Sequence, residues 1–514
     1  MSLCQRTERT LRPVLIAAAV WERIQRAIDW LRSPADGLSA RVLHGGVWST
    51  LLNVSARGLR LVQLVVLTQF LAPRAFGLVG VALITKQVIQ RLTRLGIDPA
   101  LIQHPDTNVD RYLDTAWLLS AGRGFGIFLA MVAVAPFVAN GFGEPAAVPV
   151  VVAVGVTTLL QGLVDPSVVY FRKDLQVHKQ YVYQVSGTAT DLLVSVVLAL
   201  ALGSVWAIVG GLVAGWVVQL VVSHWLGGHG PGLEFDRAAA REMLGFGKWI
   251  WATGIVVLLA TSGDDAFVGW YLAASALGLY QVAFRLSNAP ASEVRDVISS
   301  VAFPAFSRLR DDPDQLRMAF ARTLRVSLAV IVPMATGIVL VAPAFVRVAL
   351  GDEWVPMVPA IQALAVAGLL RALVGTGGTL FMGSGNPRLD FTVNSVRTAV
   401  IAVSIWPLTA VWGIAGTGAS VVLGLLAALP PWVVLTRSLT GISLPTYGRW
   451  VLGPAAGAAI MTVPVLAVSG PSLERLVAAV LVGVVTYTLA AGAVYRYQAA
   501  TPVDDVRSLV ASRE

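Results

Sequence analysis

A chain of 514 residues that is 56% hydrophobic and only 13% charged lacks the polar surface to fold in water, where charged residues make up roughly a quarter of a domain. With a mean hydropathy of +0.73, the bilayer is the expected solvent. The formal charge of +9 is then read as basic residues facing lipid headgroups, not as affinity for nucleic acid, because no basic stretch is interleaved with base-stacking aromatics.

Residues 1–45 do not form a secretory signal: the apolar run from Val14 to Trp21 is short and more charge follows it. Val14, Ala17, Trp21, Ile24, Ile28 and Leu31 recur at helical spacing with Arg12, Arg23, Arg26 and Arg32 among them. That pattern predicts an amphipathic helix, either lying on the inner membrane surface or packed against the membrane helices. Cys4 is the only cysteine, which excludes an internal disulfide and a cysteine-based metal site.

Apolar runs then predict fourteen transmembrane helices near 46–70, 76–97, 113–139, 146–170, 182–202, 204–226, 246–268, 277–303, 321–343, 356–384, 388–410, 412–436, 446–468 and 472–496. Alternate connections differ sharply in charge. One set holds Arg111, Arg172, Lys173, Lys179, Arg237, Arg241, Arg308, Arg310, Arg317, Arg388 and Arg437; the other holds only Arg74, Arg347 and Arg475. The basic set is expected in the cytoplasm, with both termini, in a cell membrane.

The chain also repeats itself. LAPRAFGLVGVA at 71–82 is echoed by LAASALGLYQVA at 272–283, and the same offset pairs Gly46-Val47-Trp48 with Gly247-Lys248-Trp249. A weaker echo pairs APFVANGFGEP from Ala135 with APAFVRVALGDEW from Ala342. Two membrane-embedded halves with one internal order mark a transporter that rocks one half against the other. The expected fold is an all-α integral membrane protein with two parallel six-helix lobes around a central cavity. The N-lobe covers 46–226 and the C-lobe 246–436. Two further helices lie at 446–496, and a cytoplasmic tail at 497–514.

Charge inside a span is costly and therefore a candidate for function. The candidates for a substrate-binding cavity are Arg57, Arg60, Lys86, Arg123, Arg285, Arg371 and Arg397. Asp165, Asp191 and Arg295 also fall in spans. The excess of arginine, whose planar fork grips phosphate or carboxylate with two hydrogen bonds, points to an anionic headgroup. Asp264 and Asp265 are the candidates for coupling to a proton or sodium gradient; their alternative is a structural pair with Arg57 or Arg285. No phosphate-loop or zinc motif is present, no cofactor or metal is expected, and the five scattered histidines read as interfacial. With external connections of about a dozen residues at most on this span map, a membrane glycosyltransferase or polymerase fits poorly, and the chain reads as a transporter, not an enzyme.

The sequence resembles the polysaccharide transporter family, the Wzx-type oligosaccharide flippases of the multidrug/oligosaccharidyl-lipid/polysaccharide exporter superfamily. The resemblance covers about residues 42–470. It rests on LAPRAFGL at 71–78, GIDPALIQ at 96–103, YLDTAWLLS at 112–120, VYFRKDLQ at 169–176, DDAFVGWYLAASALGLYQVAFRL at 264–286, AFPAFSRLRDDPDQLRMAF at 302–320, LGDEWVP at 350–356 and GSGNPRLDF at 383–391. Ala72 departs from a usual glycine, and Arg74-Ala75 from a usual acidic pair. The resemblance implies a V-shaped pair of lobes with cationic residues in the cavity. It also implies transfer of a polyprenyl-phosphate-linked oligosaccharide between leaflets, with membrane lipids and glycan-assembly enzymes as partners. A multidrug exporter of the same superfamily, which would favour a carboxylate-rich cavity, is the alternative; a lipid II-type flippase is a third reading.

Overall fold

The computed structural model describes residues 38–93, 110–173, 176–227, 232, 234–237 and 262–497. The N-terminal amphipathic segment up to residue 37, Cys4, the first part of the seventh span and the tail after residue 497 lie outside them.

The helices follow the hydropathy runs. They are α1 (Leu38–Thr68), α2 (Pro73–Leu92), α3 (Asp110–Gly141), α4 (Ala147–Gly162), α5 (Val177–Leu202), α6 (Trp206–Gly227), α7 (262–272), α8 (Ala274–Arg308), α9 (Pro313–Phe345) and α10 (Val358–Gly383). A 54-residue helical run, Pro387–Thr440, follows. It is two helices joined at Gly413, whose φ of 55° and ψ of −137° no helix contains; these are α11 (387–412) and α12 (414–440). The pair folds back so tightly that a Cβ on Gly416 would lie 1.9 Å from the Leu408 carbonyl oxygen. Two more helices close the chain, α13 (Leu444–Val468) and α14 (Leu473–Tyr497). No strand occurs among the described residues.

Ten of the helical segments among the described residues are long and apolar enough to cross a membrane. Helix α4 is apolar but short. It ends before Asp165, which was expected inside the fourth span. Asp165 instead caps a 3-10 turn, its carboxylate accepting from Ser167 N at 2.9 Å. Helix α8 is 35 residues long and is absent from the apolar set, because Arg285, Arg295 and Asp296 interrupt it. It can lie in the bilayer only by hiding among other helices, and it packs on α2, α9 and α10.

Packing divides the bundle. Helices α1 and α6 pack on α5 and α4 respectively, α5 on α6, α3 on α4, and α2 on α4; α8, α9 and α12 gather around α10, with α13 and α14 packed on α9. The two six-helix lobes meet chiefly where α2 crosses α8. Gly77 of α2 lies against the Ala274 carbonyl and Gly278 of α8 against the Pro73 carbonyl. A Cβ on either glycine would sit 1.7 Å or 2.0 Å from the facing oxygen. Small residues let membrane helices approach this closely.

The same end of the bundle is sealed by further contacts. Trp354 donates its indole N–H to the Thr68 carbonyl at 3.1 Å, its ring meets Phe76 edge-on at 5.2 Å, and Gln69 donates to the Ala349 carbonyl. The Phe142 ring covers Gly269. Leu277, Val81 and Ala82 are completely buried there. Between α7 and α8, Ala273 has φ 74° and ψ 172°, a region that essentially only glycine occupies and that costs a side chain of order 1–3 kcal/mol.

Candidate functional site

Away from the sealed end, charged side chains of both lobes meet within the spans. From the N-lobe, α1 supplies Arg57, Arg60 and Gln63, and α5 supplies Asp191 and Ser195. Gln63 donates to Asp191 at 2.8 Å and to Ser195 at 3.0 Å, and Ser195 donates to Asp191 at 3.1 Å. This fixes the carboxylate so that it interacts electrostatically with Arg60 of its own lobe and Arg285 of the other.

The C-lobe side is denser. Arg285 on α8 interacts with Asp265 of α7, and also with Asp191 and Arg60 across the lobe boundary. At 1.5 Å per residue it lies roughly 16 Å along α8 from its first residue. It is reachable by water and yet closely surrounded by protein, the combination expected of a side chain lining an internal space. Tyr280, fully buried, donates to Asp264 at 2.8 Å. Asp264 faces Arg371 of α10, which donates to Asn288 at 2.6 Å and lies over the Phe284 ring at 5.2 Å. Arg371 adjoins Arg397 of α11, which is matched by Asp390. Arg57 pairs with Asp296 of α8 at 3.2 Å, from one lobe to the other, and Arg295 shares that carboxylate at 3.1 Å.

The network therefore joins Arg57, Arg60, Arg285, Arg295, Arg371 and Arg397 to Asp191, Asp264, Asp265, Asp296 and Asp390. It is close to charge balance. The basic excess expected from the spans shrinks because Asp296 and Asp390, which fall within the spans at 277–303 and 388–410, add two carboxylates to the set. Asp264 and Asp265 do face arginines, but Asp264 faces Arg371 and Arg57 goes to Asp296. One Asp265 carboxylate oxygen is buried without a hydrogen-bond partner.

Two expected cavity residues lie elsewhere. Lys86 is buried inside the N-lobe, donating to Thr157 at 2.8 Å with its ammonium 5.7 Å from the centre of the Trp216 ring. Arg123 donates to the Thr93 and Gln90 carbonyls at 2.8 and 3.0 Å. It satisfies acceptors that the end of α2 would leave bare. Span membership gives a residue's depth but not which way round the helix it points, so these could not be separated from the others by sequence.

A cavity of about 590 Å³ lies among α9, α10, α13 and α14, between Met334, Gly337, Ile361, Met461, Gly483 and Tyr487. No charged side chain lines it, so it is separate from the polar network. No group of three or more metal-ligating side chains occurs among the described residues.

The family described as "Polysaccharide biosynthesis protein" matches residues 66–359. The chain is 27% identical to the lipopolysaccharide biosynthesis protein WzxC of Escherichia coli (strain K12), over 72% of this chain and 75% of that protein. It is 22% identical to the teichuronic acid biosynthesis protein TuaB of Bacillus subtilis (strain 168), over 81% and 83%. Among solved structures, the lipid II flippase MurJ in an inward closed conformation superimposes with a TM-score of 0.72 at 11% identity, covering 89% of this chain and 99% of MurJ. An inward-facing multidrug transporter of the MATE family follows with a TM-score of 0.63 at 13% identity, covering 76% and 98%. These likenesses show the same two-lobed helical fold, and the match over more than half its length makes this chain a member of the polysaccharide biosynthesis protein family.

Proposed function

We propose that the protein moves a lipid-linked oligosaccharide from the cytoplasmic to the outer leaflet by alternating access, for assembly of a surface glycan. The observation that carries this reading is the meeting of arginines from both lobes inside hydrophobic spans. A sugar phosphate or uronate leaving water needs fixed partners, and arginine offers them as paired charge-assisted hydrogen bonds. The carrier lipid would remain in the bilayer while the headgroup crosses between the lobes. The two relatives, named for lipopolysaccharide and teichuronic acid biosynthesis, support a glycan substrate.

Charge balance refines the mechanism. The arginines are not waiting free: Asp191, Asp264, Asp265, Asp296 and Asp390 already occupy them. An anionic headgroup must displace these carboxylates. Asp264 and Asp265, released together, would then take a proton or a sodium ion, which gives the carrier a route to a driving gradient. The same five aspartates are what a cation exporter would use, so that reading stays as the alternative.

The decisive experiment replaces Arg57, Arg285 and Arg371 together by Gln in cells that depend on this protein for surface glycan. Each charge-assisted hydrogen bond is worth about 1.5–3 kcal/mol, so one loss should slow transport roughly ten- to a hundredfold, and the triple change should abolish delivery at a normal protein level. Normal glycan in those cells would overturn the flippase reading. Drug resistance that tolerates the arginine changes but disappears with Asp264→Asn would favour the exporter.

Loop charge supports an orientation in which the sealed end faces outward. Epitope tags at residues 312 and 386 are then expected to report the cytoplasm, and tags at 143 and 352 the outside. A tag at 312 that is stained in intact cells would invert the assignment.

A further inference from the structure

At the end of the N-lobe away from the sealed crossing, helices α4 and α6 finish beside each other. Asp165 follows shortly after the end of α4. Its backbone N–H donates to Ser223 Oγ of α6 at 3.1 Å, and its Oδ1 accepts from Ser167 N at 2.9 Å. These bonds stitch the two helix ends together and use one of the two carboxylate oxygens.

The other oxygen is not used. Asp165 is 1% exposed and Ser167 7%. Asp165 Oδ2 and Ser167 Oγ are both buried with no hydrogen-bond partner among the described residues, and Asp165 takes part in no ion pair there. Both oxygens are turned onto one face of Gly227, the last residue of α6, where a Cβ would lie 2.3 Å from each. Glycine keeps that face open.

A carboxylate hidden from water without a counter-charge is costly. Its surroundings add to the cost, because α4 and α6 both end beside it and helix C-termini carry bare carbonyls and partial negative charge. A water molecule could bridge the two oxygens but would not offset the charge. A cation does both. Carboxylate, hydroxyl and helix-end carbonyl oxygens are hard donors that suit hard cations and not soft metals, and a single carboxylate balances one positive charge.

We propose that Asp165, Ser167 and the open face of Gly227 form a sodium site in the N-lobe, separate from the charged network between the lobes. Loop charge puts this site at the cytoplasmic end. Bound there, the ion holds the ends of α4 and α6 together and stiffens the lobe as it moves. The site does not depend on what the carrier transports.

The test uses the purified full-length protein in nanodiscs, with sodium chloride or choline chloride at equal ionic strength. Sodium is expected to raise the Tm by about 2–4 °C over choline, saturably, and radioactive sodium is expected to bind to the same site. Asp165→Asn keeps the oxygen that caps the turn and removes the charge; Gly227→Ala fills the open face and leaves the charge. Each is expected to weaken sodium binding at least about tenfold. Ser167→Ala, which removes one neutral oxygen and adds no bulk, should weaken it less and covers the case of a variant that folds poorly. Asp264→Asn combined with Asp265→Asn should leave this binding in place. Equal Tm in both salts with no saturable sodium binding would mean that water alone fills the space and would overturn the site. So would binding that survives all three N-lobe changes, or that vanishes with the Asp264 and Asp265 changes alone. Failure of the flippase reading would appear in glycan delivery instead and leave sodium binding as it is.

Discussion

Arg285→Gln is expected to slow transport roughly ten- to a hundredfold and to destabilise the protein, and adding Asp265→Asn is expected to restore the stability but not the transport rate. Arg285 stands among Asp265, Asp191 and Arg60. Removing its charge leaves Asp265 without its cation and Asp191 with Arg60 alone, in a place where water reaches but does not dominate. Breaking a fully buried pair costs about 3–5 kcal/mol; since water reaches Arg285, the expected loss here is about 1–3 kcal/mol. Neutralising Asp265 as well removes the orphaned charge and should recover most of that loss. Transport should stay slow, because the headgroup still lacks the Arg285 fork among its partners. Denaturant titration in mixed micelles, set beside glycan delivery per molecule, separates the two effects. Recovery of both together would mean that Arg285 serves only to neutralise Asp265.

Gly77→Val or Gly278→Val should hold the sealed end open. The obstacle at each position is a backbone carbonyl, not a side chain that can swing away, so closure would require α2 and α8 to move apart. Because the two contacts are reciprocal, either substitution alone is enough. The expected outcome is at least about tenfold faster labelling of a cysteine at Thr68 from the sealed side, with glycan delivery lost, since a carrier must close one face before it opens the other. Gly58, which has open space where its Cβ would go, is the control: Gly58→Ala should change neither. Slow labelling with delivery intact in the Gly77 and Gly278 variants would show that the crossing is packing and not a gate.

Much of this architecture could be read from sequence because the bilayer imposes a simple rule on length and polarity. The spans came from apolar runs alone, and the offset linking 71–82 to 272–283 anticipated that the copies would be equivalent. It did not say that they would touch. That depends on small residues at 77 and 278, which in isolation look like ordinary membrane glycines. The site was legible in part. Arg57, Arg60, Arg285, Arg371 and Arg397 come into one network, while Lys86 and Arg123 turn into their own lobe. Depth in the membrane is written in the hydropathy, but direction around a helix is written in the neighbours. The same limit applies to Asp296 and Asp390, which fall inside predicted spans but whose partners on other helices no spacing reveals. Helix α8 carried the clearest available signal: a span too polar for lipid must be wrapped by protein, and the chemistry is placed along it.

Ala273 gives the closed gate a further character. Its backbone sits where a side chain is unwelcome, one residue before the carbonyl that presses on Gly77. A cost of order 1–3 kcal/mol held at that joint is comparable to what one good contact with a passenger supplies. Closure at this end is thus held against a local cost at its own joint. A carrier that rests in a deep minimum waits for a large thermal kick before each turn; one that rests slightly uncomfortably is ready to tip when its central arginine is engaged. Strain at this joint would narrow the gap between the closed and open states, and the alanine that looks like an imperfect substitute for glycine would make the closed end easier to leave.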